Sequence, residues 1–255
     1  MSRLAIIGGT GLSKLKNLEF LRHQVVSTPY GEPSGPLSIG RLGGCEVVFL
    51  PRHGYNHRIP PHQINYRANL WALREVGVRH VLAVAAVGGI TPRMSPATLV
   101  IPDQIIDYTY GRAHTFFEGE LDEVTHIDFT FPYDADLREL LLRSARAAEV
   151  SVVESGVYAA TQGPRLETAA EIRRLEGDGC DIVGMTGMPE AALARELGLK
   201  YACCAVVANW AAGKDGGTLI TMEEIDATLK TGMGQVRAVL EQFLSRPDNP
   251  ACFAG

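Results

Sequence analysis

Five short segments carry residue types that could bind or move charge. In Ile6-Ile7-Gly8-Gly9-Thr10-Gly11-Leu12 a glycine turn follows an apolar run, so backbone N–H groups and the Thr10 hydroxyl can converge on an anion. The third glycine of a dinucleotide turn and the Gly-Lys-Ser/Thr ending of a phosphate loop are both missing, and a purely structural turn fits equally well. Pro51-Arg52-His53-Gly54 places a guanidinium fork and an imidazole at a strand end, a pairing suited to phosphate or carboxylate, or to a surface ion pair.

Thr161-Gln162-Gly163-Pro164-Arg165-Leu166-Glu167-Thr168 breaks into an irregular loop before a helix. Glu167 there either faces a cleft or serves as a first-turn acid. Gly184-Met185-Thr186-Gly187-Met188-Pro189-Glu190 joins a strand to a helix whose N-terminus favours an anion, although Met185 suits a core equally. Asn209-Trp210-Ala211 leaves another strand, where the Asn209 amide can meet a base edge or close a turn. Together, several strand ends deliver polar groups in one order along the chain, the pattern of a ligand cleft in an α/β fold.

The elements that must position these segments alternate between short apolar runs and amphipathic stretches. Strands are expected at Leu4 to Ile7, Val81 to Val87, Gly156 to Ala160, Ile182 to Gly184 and Tyr201 to Val207, with a hairpin formed by Leu37 to Arg41 and Glu46 to Leu50. Helices are expected over Asn65 to Val76, Ala135 to Ala148, Thr168 to Leu175 and Pro189 to Leu197. A last helix opens at the capping-box sequence Thr221-Met222-Glu223-Glu224. No repeat or linker interrupts the 255 residues, so the reading is one α/β domain over 1–245 with a short solvated tail over 246–255.

Composition excludes several classes. The net charge is −5 with scattered Lys and Arg, so nucleic acid is not an expected partner. No apolar run reaches the roughly 18 residues of a membrane span, and the N-terminus turns to glycine too early for a signal peptide. The five cysteines contain no Cys-x-x-Cys pair, and Cys203-Cys204 lies in an apolar run, so reduced core thiols and a cytoplasmic place are expected. His53 and His57 share helical spacing but sit in a loop-like context, and no metal site is expected.

The set Ile7-Gly8-Gly9-Thr10-Gly11-Leu12, Arg52-His53-Gly54, Asn65-Tyr66-Arg67-Ala68-Asn69, Gly163-Pro164-Arg165 and Met185-Thr186-x-x-Pro189-Glu190 resembles the trimeric branch of the purine nucleoside and methylthioadenosine phosphorylases along nearly the whole chain. The resemblance implies a twisted mixed β-sheet flanked by helices, a homotrimer, and inorganic phosphate as co-substrate with no cofactor. It implies phosphate binding by Thr10, Arg52, His53 and Thr186, with Met185 against the ribose and the Ala86 backbone near the sugar. His126 looks like the residue that closes the 5′ pocket of a neighbouring subunit. Ala85 departs from the family, whose methylthioadenosine members carry a phosphate-contacting Thr there, which shifts the load to Arg52 and Thr10.

Substrate choice rests on two positions. Adenine-specific relatives place Asp, aromatic, Asp where this chain has Asn209, Trp210 and Ala211, and Ser where it has Glu167; 6-oxopurine relatives have Gly-Pro-x-Phe-Glu-Thr, and the chain follows that pattern at Glu167. A Glu167 carboxylate accepts N1–H of hypoxanthine, whereas adenine N1 meets it lone pair to lone pair. Asn209 donates to O6 and accepts from protonated N7, so Glu167 and Asn209 are the expected catalytic pair, with Leu166, Trp210 and Ala211 around the base. Ordinary 6-oxopurine phosphorylases place a His for the 5′-hydroxyl near the start of the last helix. Met222 and Ile225 fall in that neighbourhood and suit a methylthio group, although a core-facing Met is also open. The combined expectation is phosphorolysis of 5′-methylthioinosine. The alternatives are a 5′-methylthioadenosine phosphorylase, an inosine/guanosine phosphorylase, and a non-catalytic purine- or nucleotide-binding protein.

Overall fold

Apolar strands buried on both faces need helices on both faces, and the computed structural model, described over residues 3–8, 19–42, 45–119 and 123–249, has that arrangement. At its centre run three parallel strands, β1 (Arg3–Gly8), β5 (Val78–Gly89) and β11 (Lys200–Trp210), with β5 between the other two. Beyond β1 lie β4 (Cys45–Pro51), β3 (Leu37–Leu42) and the edge strand β2 (Glu19–Gln24); β3 and β4 form the expected hairpin. Beyond the end of β5 lie β10 (Ile182–Gly184), β9 (Val157–Ala160) and β7 (Gln104–Asp107). A small flap on β11 adds β6 (Leu99–Val100) and β8 (Val152–Val153). The whole is one mixed 11-stranded sheet.

Alternation along the central strands sorts their side chains into two layers. Ala5, Ile7, Val81, Ala83, Cys203 and Ala205 pack against α1 (Tyr66–Glu75) and α4 (Gly187–Glu196). Leu4, Ile6, Leu82, Val84, Cys204 and Val206 pack against α2 (Ala135–Ala147) and α5 (Met222–Ser245). α1, α2, α3 (Ala169–Gly177) and α5 each start at a short polar side chain that caps them. Asn65 accepts from Ala68 N, Asp134 from Leu137 N and Thr221 from Glu224 N. Thr168 and Glu171 form a full capping box on α3. At Thr221 the cap's forward bond, from Glu224 N, is the one present.

Strands β2, β6, β7 and β8 were not expected from the sequence, and three further features differ from it. α4 begins at Gly187, two residues before the expected Pro189, and keeps non-helical torsions at Met188 (φ −119°, ψ 141°). The tail's first residues are docked: Asp248 accepts from Arg143 at 2.8 Å, and Asn249, 1% exposed, donates to Phe243 O at 2.7 Å. Cys45 is held in a disulfide, which the expectation of reduced thiols did not include, while Cys180, Cys203 and Cys204 are free and buried. No helix among the described residues is long and apolar enough to cross a membrane.

Candidate active site

The site lies where the sheet parts. β1 pairs with β5 as far as Ala83, and β10 meets the same strand only at Gly88 and Gly89. Between those pairings, among the described residues, β5 has a strand partner on its β11 side alone. Ala86, in the middle of a central strand, is exposed there. β10 runs antiparallel to β5, so its last residue, Gly184, comes back beside Val87 and delivers Met185 and Thr186 to the opening. Gly184 has to be glycine, since a Cβ there would collide with the Tyr158 hydroxyl and crowd Val87.

Arg52 enters from the end of β4, its N–H donating to Gly8 O at 3.1 Å. Its guanidinium donates Nε and Nη2 to the two carboxylate oxygens of Glu190 at 2.7 and 2.8 Å, and Nη1 to Val84 O at 2.9 Å. Three of its five N–H groups are thereby engaged, leaving one each on Nη1 and Nη2. Burial opposes the charge, but Glu190 outweighs it by charge and hydrogen bonding, and the Arg52 pKa is raised. Glu190 is completely buried and also accepts from the Tyr201 hydroxyl at 2.8 Å.

His53, beside Arg52, has one ring nitrogen committed within the protein. Its Nδ1 lies 2.8 Å from Ile59 O, and a carbonyl only accepts, so Nδ1 carries the hydrogen. Burial, then the Arg52 charge, lowers the His53 pKa to about 4. The ring is neutral at pH 7 and its other nitrogen, Nε2, is an acceptor. Thr186, 7% exposed, is the N-cap residue of α4, and its side chain makes no capping bond. Thr10 lies outside the described residues.

On the other side of the opening, Thr161 N donates to Gly184 O at 2.8 Å, and the Thr161 hydroxyl donates to Glu167 Oε1 at 2.7 Å. Thr161, Gln162, Gly163 and Glu167 line a cavity of about 250 Å³ together with Tyr108, Tyr110, Arg165 and the α3 residues Glu171, Arg174 and Leu175; Arg52, Met185, Thr186 and Asn209 are not among its walls. Leu166 is 44% exposed beside it. Asn209, on a bulge where β11 meets Gly88, donates Nδ2 to Trp210 O at 2.7 Å, which leaves Oδ1 as an acceptor. Trp210 is half-buried, whereas Ala211 packs into the apolar cluster of Ile90, Ile172 and Val183.

Arg112 ties the two sides together, and nothing in the sequence reading singled it out. Its Nη1 donates to Met185 O at 2.8 Å, Met188 O at 2.6 Å and the Tyr66 hydroxyl at 3.2 Å. Nη2 reaches Thr161 O and Gln162 O, and Nε reaches Gln162 Oε1. A lone arginine in an irregular loop gives no periodic signal. Glu190 was visible only as part of the Pro189-Glu190 motif, with no role attached.

Arg52 and His53 follow β4, Thr161 follows β9, Met185 and Thr186 follow β10 and Asn209 lies near the end of β11, around the stretch of β5 that carries Ala86, and Glu167 is tied to this frame through Thr161. Met222 is 64% exposed on the first turn of α5, Ile225 is half-buried one turn on, and His126 is exposed in the loop before α2. These three stay outside the hydrogen-bonded frame. Among the described residues no group of three or more His, Cys, Asp or Glu could hold a metal ion.

The family model described as the phosphorylase superfamily matches residues 3–245. The chain belongs to the phosphorylase superfamily. It is 57% identical over 245 residues to a protein of Pseudomonas syringae pv. tomato named probable S-methyl-5′-thioinosine phosphorylase, covering 96% of this chain and 99% of that one. It is 45% identical to the 6-oxopurine nucleoside phosphorylase of Pyrococcus furiosus, over 99% of this chain and 96% of the relative. Among solved structures, the methylthioadenosine phosphorylase of Schistosoma mansoni in complex with adenine superposes with a TM-score of 0.91 at 32% identity, covering 96% of this chain and 91% of that one. The phosphorylase fold, a mixed sheet flanked by helices, is the one described above, and the chain is an enzyme of the pentosyltransferase type.

Proposed function

We propose that this phosphorylase cleaves 5′-methylthioinosine with inorganic phosphate, giving hypoxanthine and 5-methylthioribose 1-phosphate. The observation that carries the reading is Glu167. One of its oxygens is engaged by Thr161, and no hydrogen bond among the described residues reaches the other. Such a carboxylate accepts N1–H of a 6-oxopurine and opposes the bare N1 of adenine, a mismatch of roughly 10⁴-fold when buried. The similarity to relatives named for methylthioinosine and for 6-oxopurines supports the same choice.

Phosphate is placed at the parting of the sheet by Thr10, the two remaining N–H groups of Arg52, Thr186 and the Ala86 backbone. His53, neutral with Nε2 open, meets a P–OH of the phosphate as an acceptor. An oxygen of that phosphate attacks C1′ as the C1′–N9 bond breaks, and its negative charge faces the positive charge that grows on the sugar. The bonding pair passes into the purine, which takes a proton at N7 from solvent. Asn209 Oδ1 accepts that N7–H, and the second hydrogen of Nδ2 is available to O6. Met185 lies against the ribose, with Leu166 and Trp210 around the base.

Met222 and Ile225 supply the apolar 5′ pocket, which a homotrimer closes with His126 from a neighbouring copy. The exposure of Met222 and His126 in the single chain supports that assignment. Residues 1–245 act as one domain, with 246–255 as its tail.

The test is phosphate-dependent base release from methylthioinosine, methylthioadenosine, inosine and adenosine side by side. Methylthioinosine is expected to lead by a wide margin. A lead for methylthioadenosine overturns the reading of Glu167, and a lead for inosine overturns that of Met222. Binding without base release would make the chain a non-catalytic purine-binding protein.

A further inference from the structure

A carboxylate that reads one edge of a purine has to be held still, and the side chain that holds Glu167 is Thr161. The Thr161 hydroxyl has two acceptors in reach, Glu167 Oε1 at 2.7 Å and Gly184 O at 3.3 Å. It has one proton to give, and the nearer, charged acceptor takes it. Thr161 itself is anchored, because its N–H donates to Gly184 O and the preceding Ala160 is in β-register with Gly184. Arg165, two residues before Glu167, is committed elsewhere: it donates to both oxygens of Glu171 at 2.7 and 2.8 Å and to Leu166 O at 3.2 Å.

We propose that Thr161 is a specificity-determining positioning residue, which by filling Oε1 of Glu167 fixes the carboxylate and leaves Oε2 to accept N1–H of a 6-oxopurine. The inference rests on the base-facing reading of Glu167. With Oε1 filled, the carboxylate presents one acceptor in one direction, and a 6-aminopurine meets that acceptor with a lone pair. Without the hydroxyl, the carboxylate loses its donor within the protein. It is then free to turn away from the N1 edge, which narrows the preference for the 6-oxopurine. Thr161 acts through Glu167, so its effect belongs in the ratio between two bases.

The experiment measures kcat/KM for methylthioinosine and methylthioadenosine in the wild-type enzyme and in T161V, T161A, T161S and E167Q, with melting temperatures alongside. T161V, of nearly the same shape, is expected to narrow the ratio about tenfold or more, the scale of one hydrogen bond to a charged group. T161S restores the hydroxyl and should restore the ratio. T161A serves if the valine variant folds poorly. If T161V and T161A slow both substrates alike while E167Q shifts the ratio, the inference is overturned and the reading of Glu167 stands. If E167Q leaves the ratio unchanged, Glu167 does not read the base, and both fall together.

Discussion

Arg52 and Glu190, 138 positions apart, form a two-pronged ion pair inside the protein, 2% and 0% exposed respectively. The pair joins the end of β4 to the first turn of α4 and so fixes the distance between the Arg52-His53 strand end and Thr186. Removing one charge from a buried pair leaves the other uncompensated, which costs about 3–5 kcal/mol. Glu190→Gln keeps the shape and the Tyr201 contact but strands the guanidinium. Calorimetry is expected to show its melting temperature lowered by roughly 10 °C for a chain of this size. An unchanged melting temperature would mean that the pair is not the brace described here.

Arg112 makes a second prediction, about catalysis. Its planar fork reaches carbonyls on both Met185-Met188 and Thr161-Gln162, the loops expected to flank sugar and base. A lysine carries three donors on one nitrogen and cannot span both loops. Arg112→Lys is therefore expected to lower kcat/KM for the nucleoside about 100-fold, the scale of a 1 Å misplacement, while the KM for phosphate changes little. Equal losses toward nucleoside and phosphate would argue for general loosening in place of positioning.

The strands, the hairpin and the helices were legible in the sequence because each carries a local signal. Val81 to Val87 is an unbroken apolar run, Asn65 and Thr221 cap their helices, and a glycine pair in the sequence separates the two apolar runs that pair as β3 and β4. What escaped was fixed by partners distant in sequence. The edge strand Glu19–Gln24 is largely exposed and shows no alternation, and β6 and β8 are two residues each. The site followed the same division. Arg52, Glu167, Thr186 and Asn209 sit at strand or helix ends that the pattern marks. The roles of Glu190 and Arg112 exist only through contacts with segments distant in sequence, and that of Thr161 through a contact within its own irregular loop that no periodicity marks. The neutral state of His53 depends first on burial, which its neighbours in sequence do not disclose.

Gly163 supports a prediction about the sugar side. Its φ is +60°, and a Cβ there would run into Met185 Sδ. Gly163→Ala incurs both the left-handed strain and the clash, at about 1 kcal/mol or more. Met185, the side chain expected against the ribose, has to give way. The nucleoside KM is expected to rise several-fold with the phosphate KM unchanged, as read from initial rates at saturating phosphate. A normal nucleoside KM would detach Met185 from the sugar.

The pH dependence of stability follows from His53. Its pKa is about 4 in the folded chain, against about 6.5 when unfolded. Above pH 6.5 the ring is neutral in both states and contributes nothing to the dependence. As pH falls from 6.5 towards 4, the unfolded chain binds a proton that native His53 refuses, so stability drops; below 4 both states are protonated and the loss levels off. His80, also lowered by burial, acts with the same sign. Glu171, held down to about 2 by Arg165, works lower: its contribution is present above its unfolded pKa near 4.5 and is lost as pH falls through 2. Between pH 7 and pH 5 the histidines therefore dominate, and His53 contributes at most about 2 kcal/mol of loss at pH 5. His53→Asn retains a donor for Ile59 O without titrating. Urea unfolding at the two pH values is expected to show a smaller loss in the variant than in the wild type, and parallel losses would mean that His53 is not held neutral.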